Sequence, residues 1–174
     1  MTAEGDLDDL LRGHLEGVRL VWVEAGEVAE PCRELLCHNH DMTSTLARFH
    51  GGEVVLEVLN EELGEGRYFR EVLLKVAGET VEYGVIRIFL ERFPDGVRRE
   101  IEAGGKPLGA ILNDSGLVYE SRPVGFVRIA SDGFRPDFFP AINGKFLFGR
   151  YNRLLGQDDE VLARILEILP TETT

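Results

Sequence analysis

Two side chains stand where their chemistry is unexpected. Arg70 lies inside Tyr-Phe-Arg-Glu-Val-Leu-Leu, a run that reads as a strand, and alternation puts it on one face with Tyr68, Val72 and Leu74. A guanidinium on an apolar face is costly unless paired, and its planar fork suits a carboxylate held bidentately. An edge-strand arginine or an internal ion pair is the alternative. Glu167 shares a face with Ala163, Ile165 and Leu169. Desolvation there would raise its pKa, the usual route to a general acid protonated near neutrality. A solvated carboxylate at a strand end is the plainer reading. Cys37-His-Asn-His-Asp offers metal-ligand types, but His38 and His40 supply only two ligands, and His14 and His50 lack partner spacing. Gly104–Gly109 is glycine-rich without dinucleotide or Walker spacing, and reads as a loop entering a helix.

The elements that must position these groups follow from pattern. A first helix is expected over about Leu7–Leu15, weakened by Gly13 and followed by Gly17, with a short strand at Leu20–Val23. Asp41 caps a helix with Met42, Leu46 and Phe49 at helical spacing, stopped by Gly51-Gly52. Strands are expected at Glu53–Leu59, Tyr68–Val76 and Glu82–Leu90, the last two joined in a hairpin around Gly78. Short helices at Arg98–Ala103 and Pro107–Asn113 precede strands at Val124–Ile129, Phe146–Leu155 and Glu160–Leu169. This is the pattern of an α+β fold, a single antiparallel sheet with helices packed on one side.

The 174 residues fit one domain, 1–174, and no repeat or linker divides them. The net charge of −12 repels phosphate backbones, so no nucleic-acid partner is expected, and an anionic ligand must be met by local arginines. No apolar run approaches the ~20 residues that span a bilayer, and the acidic N-terminus is no secretory signal, so no membrane partner and a cytoplasmic location are expected. Cys32 and Cys37 read as thiols. A monomer is the default.

In order along residues 37–170, several short motifs resemble the bacterial chorismate lyase family. They are Asp41-Met42-Thr43 before a short helix and Gly51-Gly52; Arg-Glu-Val-Leu-Leu (70–74); the strand holding Gly84; Gly105-Lys106-Pro107-Leu108-Gly109; Gly149-Arg150-Tyr-Asn-Arg153; and Leu166-Glu167-Ile-Leu-Pro170. The resemblance implies a cavity under flap loops and a carbon–oxygen lyase that removes pyruvate from chorismate to leave 4-hydroxybenzoate, with no metal or organic cofactor. It implies that Arg70 clamps a ring carboxylate and that Glu167 is the catalytic acid. Met42 and Leu108 would wall the pocket, with Gly109 in the flap. A second carboxylate would fall to Arg122, Arg128, Arg150 or Arg153, of which Arg150 and Arg153 lie in the closing motif. The implied ligand is a small anionic aromatic or pre-aromatic metabolite. The same fold also serves as a non-catalytic effector or sensor module in some bacterial regulators, a second expectation. The register of the last strand separates the two, because a slip of one residue turns Glu167 to the other face.

Overall fold

A computed structural model of the chain describes residues 2–134, 137–139 and 145–170. Among them, seven strands form one sheet: β1 (Leu20–Val23), β2 (Val54–Gly64), β3 (Arg67–Val76), β4 (Glu79–Phe89), β5 (Glu120–Ala130), β6 (Phe146–Leu155) and β7 (Val161–Leu169). Their order is β1-β5-β6-β7-β4-β3-β2, and each neighbouring pair is antiparallel. The helices are α1 (Ala3–Leu11), α2 (Cys32–Leu36), α3 (Met42–His50), α4 (Asp95–Ala103) and α5 (Leu108–Ser115). The expected α+β class with a single antiparallel sheet is what the chain adopts.

Local chemistry explains most boundaries. The β3–β4 turn carries two successive residues with positive φ, Ala77 at 50° and Gly78 at 84°, which matches the twist of the flanking strands. Asp41 accepts the Ser44 amide at 2.8 Å and starts α3, and Gly51 ends it at φ 68°. Several boundaries depart from expectation, among them the end of β2, which runs past Leu59 to Gly64, and the start of α4 at Asp95. The first helix begins at Ala3, because Thr2 caps it by accepting from the Gly5 amide. The short helix α2 is carried by Cys32, Leu35 and Leu36, all buried. Strand β5 starts at Glu120 and runs through Pro123, which sits where the β5–β6 register slips between Pro123 and Gly125. A bulge tolerates the missing amide donor.

The sheet is buried on both faces. On one face α2, α3, α4 and α5 cover Leu74, Ile86, Phe148, Leu154 and Leu169. On the other, α1 and the aromatic residues Phe134, Phe138 and Phe139 pack on Phe69, Tyr83, Tyr151 and Leu166. On that second face β3 buries Phe69, Glu71 and Leu73. No helix among the described residues is long and apolar enough to cross a membrane.

Candidate functional site

The four-helix face holds the site, and antiparallel register assembles it. Arg70 on β3 is paired with Ile86 on β4, Ile86 with Ile165 on β7, and Ile165 with Asn152 on β6. The next inward row is Val72, Gly84, Glu167 and Arg150; beyond it Leu74 pairs with Glu82. Five polar groups, Arg70, Asn152, Glu167, Arg150 and Glu82, thus share a face with aliphatic side chains. Gly84 sits in the middle of this floor, where a β-carbon would lie 3.1 Å from Val72 and 3.4 Å from Glu82. The roof is Asp41–Thr43 at the start of α3 and Pro107–Gly109 at the start of α5, with Tyr119 at one side. Between floor and roof lies a cavity of about 60 Å³.

Arg70 is 1% exposed and lines this cavity. Among the described residues it has no ion-pair partner. Its Nε has no hydrogen-bond partner, and its Nη1 reaches the Lys106 carbonyl only at 3.5 Å. Its guanidinium lies 5.4 Å from the Tyr68 ring. Glu61, its register partner on β2, accepts instead from the Tyr68 hydroxyl. Burial lowers the guanidinium's pKa, and Tyr68 and Glu61 oppose that shift.

At the other end, Glu167 Oε2 accepts from Arg150 Nε at 2.6 Å, and both side chains are buried. Arg150 also donates through Nη1 to the His38 carbonyl at 2.9 Å, tying the loop before α3 to the sheet. His38 Nε2 lies 2.6 Å from the Leu35 carbonyl, and burial followed by the Arg150 charge lowers its pKa. Beside the pair, Glu82 is 4% exposed and its Oε2 has no partner. Burial, then the charge of Glu167, pushes the Glu82 carboxyl well above the usual range, against the pull of Arg150. Asn152 donates to Ser121 Oγ at 2.9 Å, and its Oδ1 is unpartnered.

The structure therefore brings Met42, Arg70, Leu108, Gly109 and Glu167 into one cavity. Arg150 stands behind Glu167 as its counter-ion and is not part of the lining. Arg153 is a correction: odd positions of β6 face the other side, and its guanidinium binds Asp6 of α1. Arg122 is spent on exposed bridges to Glu120 and Asp159, and Arg128 lies over the Phe146 ring at 4.4 Å. Among the described residues no three His, Cys, Asp or Glu are arranged to hold a metal ion. Sequence reasoning missed Glu82 and Asn152. Glu82 carries a usable signal, since it lies two residues before Gly84 and alternation gives them one face. Asn152 has none without the β6–β7 register.

No family model and no curated protein matches the sequence. Among solved structures, PhnF from Mycobacterium smegmatis aligns with a TM-score of 0.55 at 14% identity, over 75% of this chain and 63% of that one. Its effector domain alone gives the same TM-score and identity over 75% of this chain and 88% of that one. A GntR-family transcriptional regulator from Bacillus cereus aligns at TM-score 0.47 and 15% identity, over 70% of this chain and 94% of that one. This chain thus spans less than two thirds of the length of PhnF. These neighbours correct the expectation of a carbon–oxygen lyase, for the aligned part of PhnF is named an effector domain, and a fold does not carry a reaction with it. What this chain demonstrably shares with the PhnF effector domain is its fold, a chorismate lyase-like antiparallel sheet with helices.

Proposed function

We propose that the chain is a small-molecule-binding module, an effector domain whose ligand carries a carboxylate held by Arg70. The observation that carries this reading is a buried guanidinium that forms no ion pair among the described residues and lines an otherwise largely apolar cavity. Burying a cation without an anion costs several kcal/mol, a cost that a bound carboxylate offsets. Two charge-assisted hydrogen bonds at about 1.5–3 kcal/mol each are within reach of a bidentate pose. The aliphatic walls, Val72, Ile86, Leu108 and Ile165 among them, would take the ligand's apolar body. The naming of the PhnF domain as an effector domain supports the same reading.

The test is thermal denaturation and titration calorimetry with a panel of small carboxylates, chorismate and 4-hydroxybenzoate included, on wild type and Arg70→Gln. At least one carboxylate should raise the wild-type Tm, and the variant should bind it on the order of 100-fold more weakly. Chorismate should release no pyruvate. Equal binding by Arg70→Gln, or no binding by any carboxylate, sinks the proposal.

A further inference from the structure

The ionisable groups of the cavity are separated in space, with Asp41 at the roof. At the β3 end stands Arg70, a guanidinium that forms no ion pair among the described residues and whose Nε has no hydrogen-bond partner. At the β7 end two buried carboxyls, Glu82 and Glu167, share one guanidinium, Arg150, which spends its short 2.6 Å bond on Glu167 alone. Glu82 is left with an unpartnered Oε2 inside the cavity. It stands four residues along β4 from Ile86, the register partner of Arg70. Backbone to backbone that is roughly 13 Å, and both long side chains shorten the gap. A monofunctional carboxylate would answer Arg70 and leave the acidic end as it is.

Resting on the binding module proposed above, we infer that the ligand is a charge-separated amino acid, with its carboxylate on Arg70 and a distant ammonium against Glu82 and Glu167. The ammonium donates to Glu82 Oε2 and supplies the cation that Glu82 needs once it gives up its proton. The carboxylate supplies Arg70 with an ion-pair partner. A ligand with a hydroxyl in place of the amine would satisfy one hydrogen bond and leave the charges unmatched.

The same arrangement couples binding to a proton. The groups facing Glu82 are Glu167 from β7, Arg150 from β6 and Arg70 across the cavity, with Asp41 at the start of α3 and His38 behind Arg150. Burial and the neighbouring Glu167 favour protonated Glu82 in the free protein. An arriving ammonium needs the carboxylate, so the Glu82 proton leaves to solvent as the ligand binds. Affinity then rises with pH, by at most about tenfold per unit, until Glu82 is ionised in the free protein.

The experiment uses a graded series of ω-amino acids, from γ-aminobutyrate to ω-aminooctanoate, beside the plain carboxylates of the same chain lengths. Binding is measured by calorimetry in buffers of differing ionisation enthalpy, at about pH 6 and about pH 8. One length of amino acid should bind at least about tenfold more tightly than its plain carboxylate and release protons as it binds. Glu82→Gln should erase both the preference and the proton release, while its Arg70-dependent binding of the plain carboxylate persists. Plain carboxylates binding through Arg70 with no gain from the amine at any length would overturn this inference alone. So would an amine preference that survives in Glu82→Gln. Failure of every ligand to bind, or binding that ignores Arg70→Gln, overturns the binding module as well. The wild-type proton count needs no variant, so the inference can be refuted even if Glu82→Gln folds poorly.

Discussion

At the scale of the residue, the site is a set of buried charges held where stability alone would not put them. Replacing even a buried ion pair by apolar side chains of similar volume is often neutral or stabilising, by about 1–4 kcal/mol, and a cation outside any pair has less attraction to lose. Arg70→Met should therefore raise the denaturation midpoint in urea while abolishing carboxylate binding. A lowered midpoint would mean that Arg70 has a structural partner after all. Glu82 gives a second prediction, with a definite sign. Its folded pKa lies above its unfolded one, so the contribution it makes to stability is full in acid and is lost as pH rises through the folded value. The window opens at pH 4.5, the ordinary carboxylate value, and extends upward. Wild type should lose stability relative to Glu82→Gln across that window, as read from paired melts over a pH series. Parallel curves would contradict it.

At the scale of the element, the roof is set by how closely α5 approaches α3. A β-carbon on Gly109 would meet Thr43 Oγ1 at 3.0 Å and Asp41 Oδ1 at 3.1 Å, and Asn113 of α5 donates to Asp41 at 3.3 Å. Glycine is thus required for close approach at the very cap that starts α3. Gly109→Val should part the two helix starts, with a stability loss of about 1–3 kcal/mol and a larger proportional loss of ligand affinity. Unchanged affinity would show that the roof does not shape the pocket. Much of this scale was legible beforehand. The Asp41 cap, the Gly51 stop and the turn at Gly78 are chemistry of a few neighbouring residues, and the elements there match what that chemistry implies. The start of β5 was not, because a proline reads as a boundary and only pairing with β6 keeps Pro123 inside a strand.

At the scale of the whole molecule, both faces of the sheet are covered but by different means. The α1 face is joined by packing and by ion pairs such as Arg87 to Asp9 at 2.7 Å, while the four-helix face contains the cavity. A ligand that binds only the folded chain stabilises all of it: at a hundred times its Kd the gain is about 2.7 kcal/mol. For a chain of this size that should raise Tm by roughly 5–10 °C. A shift that fails to grow with ligand concentration would indicate non-specific binding.

The sequence by itself determined which residues are candidates and which share a face on one strand. Alternation places Arg70 with Val72 and Leu74, and it forbids Arg150 and Arg153, three apart on β6, from facing the same way. It does not say which of the two faces the cavity. That depends on the pairing of Arg150 with Glu167 across β6 and β7, a contact between residues distant in the chain. The same holds for the role of each charge. Glu167 reads as a potential acid on its own strand and becomes half of an ion pair only when β6 arrives beside it. Arg70 reads as a ligand anchor or an internal ion pair, and only the folded neighbourhood shows it outside any ion pair among the described residues. Alternation is a property of one strand, whereas counter-ions come from its neighbours, so tertiary structure alone decides which buried charges are already matched.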